Sequence, residues 1–279
     1  MGPVTIAAMA GCQHAVHACG VAAASPYAPE AAALFARMDN PPDDDRKTLI
    51  DTFIRALKDG ATSGSDILGR MDAFWVLAAA DDQAASLDWT GAHDLGAMLS
   101  GGAFFRGTLV PDRGWMWNGN SGDLNQLDTG IALGTTPTQC TADAFHMGAF
   151  MADDDPANGA AIGTSSPQNF IWAAADGGSS TMRILATVTI SSPVGSGPRH
   201  FVGSRAGTTE TAYANGVAGT SGTATRPLVA SLTLGNVGQV NPVTVPLAIA
   251  HFGLDLSAAE ILDLYHACQA YLQGVGVAA

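Results

Sequence analysis

The feature that most limits what this chain can fold into is the stretch from Arg199 to Gly219, RHFVGSRAGTTETAYANGVAG. His200, Val202, Thr211, Tyr213 and Val217 supply bulky side chains in alternation, the spacing of strands that bury one face. Asn215-Gly216 accepts positive φ at two successive residues, so a tight turn belongs there. A second turn is expected at Arg205-Ala206-Gly207. The stretch therefore reads as a β-hairpin presented by a large β-sandwich.

Short strands are expected over 104–110, 114–117, 126–133, 144–151, 168–173, 182–190, 228–234 and 243–252, separated by Gly, Pro, Asn and Asp clusters. With the hairpin they amount to about a dozen strands, enough for two packed sheets. Beyond them Ser257 and Glu260 form a capping box that opens a helix with Ile261, Leu264, Tyr265, Cys268 and Leu272 on one face.

Upstream the period turns helical. A helix over 30–38 ends at Asn40-Pro41-Pro42, because the residue before a proline avoids the α region. A second opens at Asp43-Asp44-Asp45 and runs to Lys58, stopped by Gly60, with Leu49, Ile50, Phe53, Ile54 and Leu57 on one stripe. A third is expected over 65–80, with Ile67, Leu68, Met71, Phe74, Trp75 and Leu77 forming its apolar face. Residues 3–24 hold no Lys, Arg, Asp or Glu, yet lack the basic start of a signal peptide and are broken by Pro3, Gly11 and Gly20. They read as a docking arm buried against another subunit. Within it Cys12, His14, His17 and Cys19 could ligate zinc, but their spacing is not that of a structural zinc site, and interface packing explains them too.

The formal net charge is −13, from 25 acidic against 12 basic residues, so no basic surface is present to neutralise phosphates. That excludes nucleic acid as a partner. The four cysteines, Cys12, Cys19, Cys140 and Cys268, are too scattered for a disulfide framework and are expected as free thiols of a protein made in a bacterial cytoplasm. Neither a cleaved leader nor membrane insertion is expected.

Two resemblances sharpen this reading. The 199–219 hairpin, together with LAIAHFGLDLSAAEILDLYHACQAYL at 247–272, resembles the concanavalin A-like or laminin-G-like jelly rolls over roughly the last 190 residues. LFARMDNPPDDDRKTLIDTFIRALKDG and SGSDILGRMDAFWVLAAADDQAASLDWTG, within 34–91, are similar to a segment of structural proteins of tailed phages and gene transfer agents, where it directly precedes such a jelly roll. It departs from them at Ala61-Thr62-Ser63, where a tryptophan usually stands. The resemblance implies a mainly β protein with a docking arm at 1–28, a helical region at 29–85 and a concanavalin A-like jelly roll with a capping helix at 86–279. It implies a virion component, such as a fibre, head spike or decoration subunit, that assembles as a homo-oligomer with other virion proteins.

For glycoside hydrolases on this fold the resemblance implies an E-x-D-x-E strand, because retaining chemistry needs two carboxyls about 5–5.5 Å apart. The only glutamates stand at 30, 210 and 260, no aspartate pair with a spacing of two lies on an expected strand, and G-x-S-x-G, H-E-x-x-H and P-loop motifs are absent. The chain is therefore expected not to be an enzyme, a polysaccharide depolymerase being the alternative. A sugar-binding surface is read at Trp115, Trp117, Asn118, Asn120 and Asp123, since alternate residues of a strand share a face and aromatic rings beside amides and carboxylates suit sugars. Core packing of the two rings is the competing reading. No cofactor is required, although the loop Asp153-Asp154-Asp155-Pro156-Ala157-Asn158-Gly159 could hold calcium as well as form a solvated turn. His146 and His251 lie in apolar runs and are expected as hydrogen-bonded core or interface residues. The function expected from all of this is attachment of a particle to host surface polysaccharide, the alternative being a subunit with a purely structural role.

Overall fold

Local chemistry sets the helix ends in the computed structural model, which describes residues 25–277 apart from 96–106, 118–125, 133–135, 137, 154–158, 166–167, 177–178, 185–187, 194–198, 224–230 and 236–244. The docking arm and the Cys12/His14/His17/Cys19 cluster therefore lie outside the described residues. Helix α1 spans Pro29–Arg37 and α2 spans Asp44–Asp59. Asp43 caps α2 by accepting from Arg46 N, and Gly60 ends it with φ 44°, a left-handed conformation that costs glycine little. A 3-10 turn at Leu68–Arg70 leads into strand β1, Met71–Val76, and a short helix α3, Asp82–Ser86.

Strands β2 (Gly107–Val110), β3 (Gly114–Trp117), β4 (Gln126–Ala132), β5 (Ala144–Met151), β6 (Gly159–Ser165), β7 (Gln168–Asp176), β8 (Ser179–Ile184) and β9 (Val188–Pro193) follow. Next come β10 (Arg199–Ala206), β11 (Thr209–Ala214), β12 (Val217–Thr223), β13 (Ser231–Gly235) and β14 (Leu247–Gly253), and helix α4 (Ala258–Gly274) closes the chain. β11 turns into β12 through Asn215 and Gly216, at φ 50° and 77°, the mirror-image turn that suits twisted strands.

Two antiparallel sheets result. One runs β12-β11-β10-β5-β14-β3-β2, with β1 also paired to β14; the other runs β4-β13-β6-β7-β8-β9. The central strands of the first sheet, β1, β5, β10 and β14, are buried on both faces. The sheet's inner face, with Trp75, Phe145, Met147, Phe201 and Phe252, packs on Ile131, Ile162, Leu232 and Leu234 of the second sheet. Its outer face, with Phe74, Phe150, Val202 and Ile249, packs under Leu34, Phe53, Ile54, Leu57, Ile261, Leu264 and Leu272 of the helices. The chain is thus a mainly β, jelly-roll-like sandwich with a helical layer over one sheet. Ser257 and Glu260 form the expected capping box of α4.

Two expectations need correction. The helix expected over 65–80 is a 3-10 turn followed by β1, whose residues pair antiparallel with β14. Ala73 and Trp75 point to the inner core and Phe74 and Val76 to the outer one. A strand buried on both faces reads as a continuous apolar run, which periodicity cannot separate from a helix. Likewise the single strand expected over 182–190 is two, β8 and β9, paired from Ser179↔Pro193 to Ile184↔Val188.

Candidate functional site

Where the helical layer meets the first sheet, a polar cleft of about 260 Å³ opens between Glu30, Lys58, Asp66, Gly69, Trp89, Thr90 and Gln139. Helix α1 brings Glu30 in its first turn and α2 brings Lys58 in its last, and Lys58 Nζ donates to Glu30 Oε1. The lysine holds the Glu30 carboxyl below the ordinary carboxylate range and is itself raised by it, so both stay charged at neutral pH. Glu30 Oε2 is out of solvent and has no hydrogen-bond partner. Asp66 Oδ1 accepts from Gly69 N at 2.8 Å, and Gln139 Nε2 donates to Gly69 O at 3.1 Å. The cleft therefore offers carboxylate acceptors beside an ammonium donor, over the apolar edges of Leu68, Met71 and Trp89. Such a set can hydrogen-bond adjacent hydroxyls of a neutral polyol, each acting as donor to one group and acceptor from another.

The wall carrying Trp89 and Thr90 hangs on Asp88, which is fully buried. Asp88 Oδ1 accepts from Phe74 N at 2.8 Å and Thr90 N at 3.0 Å. Oδ2 accepts from Thr90 Oγ1 at 2.5 Å, Ala92 N at 3.1 Å and His93 N at 2.9 Å. Asp72 and Asp263 do similar work. Asp72 accepts from Gln139 N and Cys140 N, and Asp263 accepts from Thr62 N and Ser63 N. Many of the aspartates that make this chain so acidic are thus staples for loop backbone.

The residues singled out from the sequence fall elsewhere. Trp115 and Trp117 do share a face of β3, but it is the inner one: they are 4% and 1% exposed and sit among the inner-core residues. A Cβ on Gly235 would lie 2.4 Å from Trp117 Cε2, so the second sheet is carved to receive that ring. Neither ring is open to a sugar, which corrects the exposed reading; apolar area of this size gains most in the core. Asn118, Asn120 and Asp123 lie outside the described residues. In the loop read as a calcium site, Asp153 is paired with Arg113, while Asp154 and Asp155 lie outside the described residues. Among the described residues no group of three or more His, Cys, Asp or Glu is placed to hold a metal ion. Cys140 and Cys268 are buried free thiols, raised by burial, Cys140 to about 12.

Two buried arrangements escaped the sequence. His146 and His251, expected in the core, are joined there by His200, and all three are fully buried. The Leu254 carbonyl accepts from His146 Nδ1–H, so His146 Nε2 accepts from His251 Nδ1–H at 3.1 Å, and His251 Nε2 accepts from His200 Nε2–H at 2.9 Å. His251 uses both ring nitrogens, so the imidazoles form a row and do not converge on one point. The second arrangement is Glu210, fully buried, with neither carboxylate oxygen hydrogen-bonded. Burial pushes it up to about 7, against the pull of Arg205, whose Nη1 lies 3.9 Å away and whose other nitrogens serve Asp143 and Gly207.

A raised carboxyl stabilises the fold fully below its ordinary value of 4.5 and loses that contribution as pH rises through about 7. Glu210→Gln should therefore gain in urea midpoint relative to the parent between pH 5 and pH 8. A constant offset across that range would contradict the assignment.

No sequence profile of a protein family matches the chain, and no curated protein matches it. Solved structures do. A sialidase of Trypanosoma rangeli, solved as a covalent intermediate with difluorosialic acid, aligns over 78% of this chain and 39% of its own, at 16% identity and a TM-score of 0.52. The same enzyme with a difluoro-KDN ligand aligns over 78% and 38%, at 14% identity and a TM-score of 0.50. A domain of an extracellular arabinanase from Geobacillus stearothermophilus, solved with arabinotriose, aligns over 70% of this chain and 98% of its own, at 15% identity and a TM-score of 0.46. The chain spans about two fifths of the sialidases' length, and likeness at this identity concerns the fold. The sialidase matches correct the expectation that the chain is not an enzyme: it shares a fold with part of a sialidase, so the missing glutamate strand motif is no ground for excluding catalysis.

Proposed function

We propose that this chain is a carbohydrate-binding β-sandwich protein and that its sugar site is the cleft between Glu30, Lys58, Asp66 and Gln139. The observation that carries the reading is the cleft's donor and acceptor set, an ionised Glu30 with an unpartnered oxygen beside Lys58 and Asp66. The fold shared with sialidases supports it. On the resemblance of residues 34–91, the finer reading is a structural protein of a phage-like or gene-transfer-agent particle. It would assemble as a homo-oligomer with other virion proteins and use many weak sugar contacts to hold the particle on host surface polysaccharide.

Equilibrium binding of the full chain to that polysaccharide tests the site. Lys58→Gln with Asp66→Asn should weaken binding at least tenfold while leaving the thermal midpoint within a few degrees, since both side chains are partly exposed. Equal binding by parent and variant would remove the cleft from the account. A second reading, a decoration or fibre-base subunit without a glycan ligand, is favoured by the burial of Trp115 and Trp117. It predicts no saturable binding by either protein, even when displayed multivalently.

A further inference from the structure

The imidazole row lies between the first sheet and the helices. His200 is stacked under Tyr265 of α4 at 6.2 Å and on Phe150 of β5 at 5.4 Å, and His251 stacks on Phe74 of β1 at 6.0 Å. At the other end, His146 binds the Leu254 carbonyl in the segment leading into α4. Two residues on, Ser204 Oγ of β10 both donates to Leu256 O at 2.8 Å and accepts from Leu256 N at 2.9 Å. The row therefore ties α4 and its lead-in to strands β5, β10 and β14.

Its hydrogen-bond directions are forced once Leu254 O is taken as acceptor, and they leave one bare lone pair. His200 Nδ1 is buried without a partner. A proton entering there can be passed along, His200 Nε2–H to His251 Nε2 and His251 Nδ1–H to His146 Nε2, so the charge reaches His146 with every contact intact. A second proton has no such place: it sets N–H against N–H and breaks the row.

The charges facing the row all act at the His146 end. Asp72 of β1 and Glu260 of α4 favour a cation there, and Arg70 of the 3-10 turn opposes it. At the His200 end α4 presents Tyr265, with His266 beside it. We propose that the row His146–His251–His200 is an acid-released latch that holds the helical layer on the sheet at neutral pH and lets it open in mild acid while the sandwich core stays closed. Burial depresses His146 to about 4, His200 to about 3 and His251 well below its usual value, in line with a row held neutral. Because these values are lowered, the stabilisation is complete above the ordinary histidine value near 6.5 and is lost as pH falls below it. Local opening that exposes the row takes up as many as three protons, so its population rises steeply with acid.

Hydrogen exchange of the full chain, read by mass spectrometry at pH 7.5 and pH 5 and corrected for intrinsic rates, tests the latch. The expected result is at least tenfold faster exchange of α2 and α4 at pH 5, with β13 and the inner strands unchanged. His200→Phe keeps the stack and removes one titrating ring, so its acid acceleration should be several-fold smaller. Should that variant fail to fold, the imidazole nitrogen shifts of the parent decide. Three neutral rings at pH 6, with the proton on Nδ1 of His146 and His251 and on Nε2 of His200, uphold the row; titration near 6.5 in the closed protein overturns it. Equal protection of the helices at both pH values, or loss of protection in helices and inner strands together, also overturns the latch.

Discussion

Replacing Asp88 with alanine should cost about 4 kcal/mol of unfolding free energy, the largest effect expected from any single polar side chain described above. The carboxylate is fully buried and accepts from four backbone N–H groups and one hydroxyl across Phe74, Thr90, Ala92 and His93. Alanine takes the buried acceptor away from all four backbone donors. Asp88→Asn keeps one acceptor oxygen and turns the other into a donor facing donors, so about half the loss should remain. Urea unfolding of the three proteins checks the order. A loss below about 1 kcal/mol for alanine would mean that the loop relaxes and solvates its own backbone. Because this loop presents Trp89 and Thr90, sugar binding should fall in the same order.

Gly148→Ala should lower stability by about 3 kcal/mol, a fall of roughly 6–12 °C in thermal midpoint. A Cβ there would sit 2.0 Å from His251 Cε1 and 2.2 Å from Nε2. An exposed ring would swing aside, but this one is held by both nitrogens, between His146 and His200, and stacks on Phe74. The backbone cannot give way either, because Gly148 pairs with His251 on one side and Val202 on the other in the first sheet. If the melting temperature is unchanged, the imidazole row is looser than its contacts imply.

What could be read from the sequence was local chemistry. Asp43 and Gly60 at the ends of α2, Ser257 with Glu260 at the start of α4, and Asn215-Gly216 between β11 and β12 stand as expected, since each is fixed by residues within a few positions of one another. Alternation correctly put Trp115 and Trp117 on one face, yet alternation gives parity and not which side is covered. The second sheet decided that. Strand β1 passed for a helix because both of its faces are buried, and β6, GAAIGTS, passed unnoticed because small residues carry no contrast between faces. The cleft was invisible for a different reason. Glu30, Lys58, Asp66 and Gln139 lie on separate helices and loops and meet only when the helical layer docks. The histidines of the row, 146, 200 and 251, are likewise neighbours only through the pairing of β10 with β5 and β5 with β14.

The most direct test of the sugar site is a crystal of the full chain grown with oligosaccharides released from host surface polysaccharide. The account predicts a sugar ring in the cleft, with hydroxyls within hydrogen-bond distance of Lys58 Nζ and the Asp66 carboxylate. A sugar seated on another surface, with the Glu30–Lys58 cleft left to solvent, would contradict it.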